Sequence, residues 1–194
     1  MAAINYDAIA QELKRGLVKP DDHIAMCLGP NKETVLRELF TLGMGGPRQT
    51  GKTKWMIESL IRDPNSRLIA LNTTMREAII NQLSAYSSLD QNREGDKPRP
   101  DAIWHAGGIG WVPIHEEAAE LIRNDPDIVE QAKCRIVTAH TLRDLINNID
   151  VAPINISQIF IDQRIQVFHL IRMSKYYTWL AKISDKHILT WLID

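Results

Sequence analysis

Five compact apolar runs punctuate this chain, and every gap between consecutive runs carries a helical pattern. The runs are Leu39–Leu42, Arg67–Asn72, Arg135–Ala139, Gln158–Asp162 and Ile188–Ile193. Apolar residues at successive positions, rather than at alternate ones, predict strands covered on both faces. The intervening helical patterns are Lys52–Ile61, Met75–Tyr86 with Glu116–Arg123, Leu142–Ile149, and one long helix over Arg164–Ile183. Strand and helix in alternation predict an α/β chain, a three-layer sandwich around a mainly parallel sheet. Before the first run, Ile4, Ala8, Ile9 and Leu13 mark an amphipathic helix that Gly16 ends, and Lys32–Leu39 a second. The expected division is an N-terminal helical segment, 1–38, and a main domain, 39–194. A loop-rich insertion falls at about 87–115, where a polar Ser87–Pro100 stretch precedes Gly107, Gly108 and Gly110 between Trp104 and Trp111.

The turn after the first run narrows the chemistry. Gly46-Pro47-Arg48-Gln49-Thr50-Gly51-Lys52-Thr53 fits G-x-x-x-x-G-K-[ST], the phosphate-binding P-loop or Walker A pattern. A triphosphate concentrates negative charge and needs many donors at close range. Glycines let the main chain wrap it so that successive N–H groups point inward. The helix starting at Lys52 adds its unpaired amides and its positive dipole end. Lys52 is placed for the β- and γ-phosphates, and the Thr53 hydroxyl for a Mg²⁺ ion bridging them. The ligand expected is therefore ATP with Mg²⁺. The competing reading is a Gly-Pro turn before an ordinary helix; the strand before and helix after weigh against it.

Such a site also needs a carboxylate at the end of a neighbouring buried strand. Ile159-Phe160-Ile161-Asp162 has that form, so Asp162 is the second metal-holding candidate with Thr53. The next residue is Gln163, where a Glu is expected to activate water. An amide orients water but cannot take its proton near neutral pH. Hydrolysis is thus open where binding is supported; Glu116, Glu117 or a residue from a partner are the substitutes to examine.

The loop from Pro47 to Thr53, with Arg48 inside it, resembles the Walker A of phage large terminase ATPases. The order of the motifs resembles the first RecA-like domain of helicase superfamilies one and two. A strand and polar turn (Leu68–Thr74) follow the P-loop helix, then a strand with a threonine-rich end (Ile136–Thr141), the Asp162 strand, and a last strand over Ile188–Leu192 with Thr190 near its polar end. The resemblance covers roughly Leu39–Asp194 and implies a RecA-like P-loop NTPase core. It also implies that Arg48 contacts the γ-phosphate or steadies charge during its transfer, beside Lys52 and Gln163. Terminases carry a nuclease domain after this core, and helicases a second RecA-like domain. This chain ends where either would begin, so the expectation is a fragment, a subunit that joins copies of itself or a larger phage assembly, or a derived binding module.

Charge narrows the partners. Lys plus Arg number 23 and Asp plus Glu 24, so bulk positive charge does not drive nucleic-acid binding. DNA or RNA would need a local face, for which Arg164, Arg172, Lys175, Tyr176 and Tyr177 are candidates against the plainer reading of an ordinary solvated helix, or Trp104 and Trp111 as stacking platforms against the plainer reading of core packing. Arg135 and Arg143 are candidate trans-acting arginines. Two distant cysteines, no visible leader and no long apolar run make a reducing cytoplasm (the host's, if viral) the expected location, without a membrane partner, and the six scattered histidines match no metal motif. The leading expectation is a Mg²⁺-dependent ATPase in nucleic-acid handling, such as DNA packaging or helicase-like action. The alternative is a nucleotide-binding regulatory or scaffold module that hydrolyses slowly or not at all. A small-molecule kinase fits the size, but lacks an arginine-rich lid and is poorly served by so distant an Asp162.

Overall fold

The computed structural model describes residues 4–17, 31–46, 51–86, 102–104, 111–148, 155–183 and 187–194. The chain folds as α/β. Strands β1 (Thr41–Met44), β2 (Ser66–Ala70), β5 (Ile136–Thr138), β6 (Gln158–Asp162) and β7 (Leu189–Ile193) form one sheet in the order β1-β7-β6-β2-β5. All four pairings are parallel. A separate antiparallel pair, β3 (Ala102–Trp104) and β4 (Trp111–Pro113), occupies part of the expected insertion and aligns Trp104 with Trp111. Most of the remainder of 87–115 lies outside the described residues.

The helices are α1 (Tyr6–Arg15), α2 (Lys32–Leu39), α3 (Lys52–Arg62), α4 (Thr73–Ser84), α5 (Glu116–Asn124), α6 (Ile128–Cys134), α7 (Ala139–Asn147), α8 (Arg164–Leu170) and α9 (Met173–Ile183). They cover both faces of the sheet, because adjacent strand residues point to opposite sides. Leu68, Ala70, Phe160, Trp191 and Ile193 enter one core, with α1, α3, α4, α5 and α6. Ile69, Ile159, Ile161 and Leu192 enter the other, with α2, α7, α8 and α9. Tyr6 and Ala10 of α1 belong to the first core and Leu36 of α2 to the second, so both N-terminal helices pack on the same sheet as the rest.

Two departures from the sequence expectation have physical causes. The long helix over 164–183 is two helices. Ile171 adopts extended dihedrals (φ −122°, ψ 117°) and is buried, so the break inserts a β-branched side chain into the second core. Residues 128–134, between the Glu116–Arg123 pattern and β5, form α6, which contributes Val129 and Ala132 to the first core.

The aromatic packing under α3 fixes the element that would carry the phosphate loop. Trp55 stands edge-on to Phe160 and to Trp191, with centroids 5.3 and 5.2 Å away. Each such pair contributes about 0.5–1.5 kcal/mol beyond its buried area. The opposite end of α3 is tied by polar bonds. Asp63 accepts from the Asn65 N–H, the Ser157 hydroxyl and the Gln158 amide, and the buried Arg135 donates to the Leu60 and Asp63 carbonyls at 2.7 and 2.6 Å.

Candidate nucleotide-binding site

Parallel strands deliver all their C-terminal ends to one edge of the sheet, where α/β proteins place their ligands. Here that edge receives Gly45-Gly46 from β1, Asp162-Gln163 from β6 and Asp194 from β7. The register sets Met44 beside Ile193, and Ile193 beside Asp162. Asp162 is thus two strands from the start of the loop, about 10 Å at ordinary strand spacing. Gly46, Gly51, Lys52 and Thr53 lie among the described residues. Pro47, Arg48, Gln49 and Thr50 lie outside them, and with them the contacts of Arg48.

The helix starts at this edge are of two kinds. After β2, the Asn72 side chain accepts from the Met75 N–H (2.9 Å) and caps α4; after β5, Thr138 accepts from the Thr141 N–H and caps α7. Side-chain caps satisfy amides that would otherwise be free. Neither start flanking the candidate site has one among the described residues. Gly51 enters α3 in the left-handed region (φ 94°) with no side-chain cap bond. Gln163 enters α8 at φ 57°, ψ 57°, also without one, and is the one non-glycine residue at positive φ among the described residues. A left-handed backbone costs a β-carbon-bearing residue about 1–2 kcal/mol, and such strain gathers at functional sites.

Lys52, in the first turn of α3, turns back over the edge. Its ammonium donates to the Gly46 carbonyl at 2.6 Å and to the main-chain oxygen of Asp194. The Asp194 carboxylate in turn pairs with Arg164. Burial pushes the Asp162 carboxyl above the ordinary aspartate range. The Gln163 N–H and the Lys52 charge pull it down, and Asp194 pushes it up again. Lys52, Asp162, Asp194 and Arg164 therefore form one electrostatic group. Asp194 and Arg164 are not flagged by the phosphate-loop pattern, but one signal marks Asp194. The chain contains Ile161-Asp162 and Ile193-Asp194, each closing an apolar strand, and the two strands are neighbours.

Thr53 and Asp162 are hard oxygen donors, the kind Mg²⁺ takes alongside phosphate oxygens. A carboxylate whose ionised form is disfavoured by burial gains most from a cation. The donor set fits the metal without a dedicated cage, and among the described residues no group of three His, Cys, Asp or Glu forms one.

Compared with protein-family models, curated proteins and solved structures, the chain finds no match.

Several sequence candidates lie elsewhere. Glu117 sits 3.8 Å from Arg62, in the last turn of α3. An 11-residue helix is about 16 Å long, so α5 begins at the end of α3 away from Lys52, and Glu116 and Glu117 do not reach the edge from within the same chain. Arg135 is buried and committed to two carbonyls, and Arg143 is 3.7 Å from Asp144. Thr190 lies at the start of β7, buried and bonded to the Tyr176 hydroxyl at 3.0 Å, so the C-terminal end of β7 presents Asp194 instead. Tyr176 and Tyr177 are core residues, which removes the aromatic half of the face expected on α9. A recess of about 300 Å³ opens at the opposite edge of the sheet, lined by Asp7, Lys14, Arg62, Asp63, Glu117 and Gln158 among others. Its charges largely answer one another: Arg62 binds Asp7 at 2.6 Å, and Lys14 lies over the Trp191 ring. Among the described residues no helix is long and apolar enough to cross a membrane.

Proposed function

We propose that the chain binds a nucleoside triphosphate, ATP by preference, with Mg²⁺ at the C-terminal edge of its sheet. The observation that carries this reading is the uncapped, left-handed entry to α3 behind a glycine turn, with Lys52 folded back over Gly46 and Asp162 two strands away. Uncapped amides at a helix N-terminus with a lysine beside them form an anion site by construction. Phosphate oxygens would replace the carbonyls that now hold Lys52. Thr53 and Asp162 would hold the metal, which supplies charge neutralisation of the phosphates when bound. The loop residues Pro47, Arg48, Gln49 and Thr50 complete the cradle in this proposal, with Arg48 placed to meet charge on the terminal phosphate.

The same proposal extends to a Mg²⁺-dependent ATPase in nucleic-acid handling, as the resemblance of the loop to phage terminases implies. A second reading is favoured by one observation. The residue after Asp162 is an amide on a strained backbone rather than a carboxylate. Gln163 can align water but not accept its proton, so a binding module with slow or no turnover fits the edge as well.

Calorimetry with Mg²⁺-ATP tests the binding claim. Lys52→Ala is expected to weaken affinity at least about 100-fold, the scale of one strong charge-assisted contact. Undiminished binding by that variant, or no binding by the native chain, overturns the reading. Phosphate release measured with and without DNA or RNA separates the ATPase from the module: release lost in Lys52→Ala marks the enzyme, and tight binding without release marks the module.

A further inference from the structure

Two helix pairs, one in each outer layer of the sandwich, carry opposite charge. Residues 163–183, which build α8 and α9, contain Arg164, Arg172, Lys175 and Lys182 and no carboxylate. Asp194 takes Arg164. Arg172, Lys175 and Lys182 are exposed and have no ion-pair partner among the described residues. Lys175 and Lys182, seven positions apart, share one stripe of α9. The same segment holds Ile165, Leu170 and Met173, exposed to 58%, 37% and 42%. They are three of the five large hydrophobic side chains exposed among the described residues, and they fall within nine positions.

The α5–α6 pair is its complement. Residues 116–130, spanning α5 and the start of α6, hold six carboxylates against one cation, Arg123. All six carboxylates are exposed. Glu117 and Glu130 meet Arg62 and Lys133; Glu116, Glu120, Asp125 and Asp127 have no cation among the described residues. The two helix pairs lie on opposite faces of the sheet, since α5 and α6 pack into the core of Phe160 and Trp191, and α8 and α9 into that of Ile159 and Ile161.

We propose that copies of this chain associate head to tail, the α8–α9 face of one seated on the α5–α6 face of the next. Exposed aliphatic residues with unpaired cations on one segment fit a protein interface, and a set of unpaired carboxylates of opposite sign is on the same chain. Joining unlike faces is heterologous, so the product is a ring or an open filament rather than a two-fold dimer. A single-stranded nucleic acid suits the face less. Its aromatic residues Tyr176, Tyr177 and Trp179 are buried, Phe168 is half-buried edge-on to Tyr176, and Ile165, Leu170 and Met173 offer bases no stacking surface. The proposal does not depend on nucleotide binding.

Sedimentation velocity of the full chain tests it, from about 1 to about 100 µM and at about 0.05 and 0.5 M salt. The expected result is a mass that grows with concentration at low salt and falls to the monomer at high salt. R172E/K175E/K182E leaves both faces acidic, and E116K/E120K/D127K leaves both basic. Each variant alone stays monomeric, and mixing the two restores association. All six positions are exposed, and circular dichroism melting confirms that each variant is folded. A native chain monomeric throughout, variants that associate like the native chain, or a mixture that fails to associate overturns the proposal. So does a monomeric native chain that instead holds single-stranded oligonucleotides or phosphatidylserine vesicles through these cations.

Discussion

Four helices start at the C-terminal edge of the sheet, and they divide into two pairs. The α4 and α7 starts, after β2 and β5, are closed by Asn72 and Thr138, whose side chains accept from first-turn amides, the Met75 and Thr141 N–H groups. The α3 and α8 starts, after β1 and β6, enter through left-handed residues with no side-chain cap bond. The first pair spends its polar groups on its own stability. The second has no side-chain cap bond among the described residues, accepts backbone strain at Gln163, and gathers Lys52, Asp162, Arg164 and Asp194 into one charged group. The contrast within a single edge is what the proposed site rests on. The starts of α5 and α6 also have no side-chain cap bond, so what sets the α3 start apart is its left-handed glycine entry with Lys52 beside it, an arrangement suited to an anion.

Substitutions can break or sharpen that contrast. The largest effect is expected at Gly51→Ala. A β-carbon at φ 94° costs about 1–2 kcal/mol, and the displaced loop should lose nucleotide affinity along with stability. Denaturant titration and calorimetry on one preparation check both, and a loss confined to stability would mean that the uncapped start is structural. Asn72→Ala at the capped start should cost about 1 kcal/mol and leave affinity unchanged; a fall in affinity would erase the distinction between the pairs. Gln163→Gly should stabilise the chain by up to about 1 kcal/mol, because the left-handed backbone then carries no penalty. Loss of stability there would show that the Gln163 side chain has a structural role.

The smallest effect is a pH dependence. Burial raises the Asp162 carboxyl above its unfolded value, so the native state holds its proton longer than the unfolded chain does. Stability from this group is present while both states are protonated and falls as pH rises through that window. Asp162→Asn should therefore melt higher than the native chain near pH 7 and converge with it near about pH 4. Added Mg²⁺-ATP should stabilise the native chain and not the variant. A difference in melting that does not change with pH removes the charge argument for Asp162.

Much of the architecture is legible in the chain because both faces of its sheet are covered. Runs such as Leu68–Ala70 and Ile159–Ile161 must be apolar at successive positions, which few other structures demand. The break at Ile171 and the extra helix at 128–134 are not legible, since helical periodicity continues through the first and is too short to register in the second. The site divides in the same way. The glycines, Lys52 and Thr53 are visible because chemistry fixes their spacing along the chain. Arg164 and Asp194 are invisible as partners because their pairing depends on strands that are neighbours only in space.

What the linear order determined by itself is the local chemistry: a glycine turn between strand and helix, and two apolar strands each closed by Ile-Asp. Tertiary structure alone decided which ends meet. It set β7 between β1 and β6, which brought the main-chain oxygen of Asp194 to Lys52 and kept Glu116 and Glu117 at the far end of α3. The reason is one of range. Turn and cap propensities act over a few residues, whereas strand order is settled by the joint burial of both sheet faces, a condition no single segment contains.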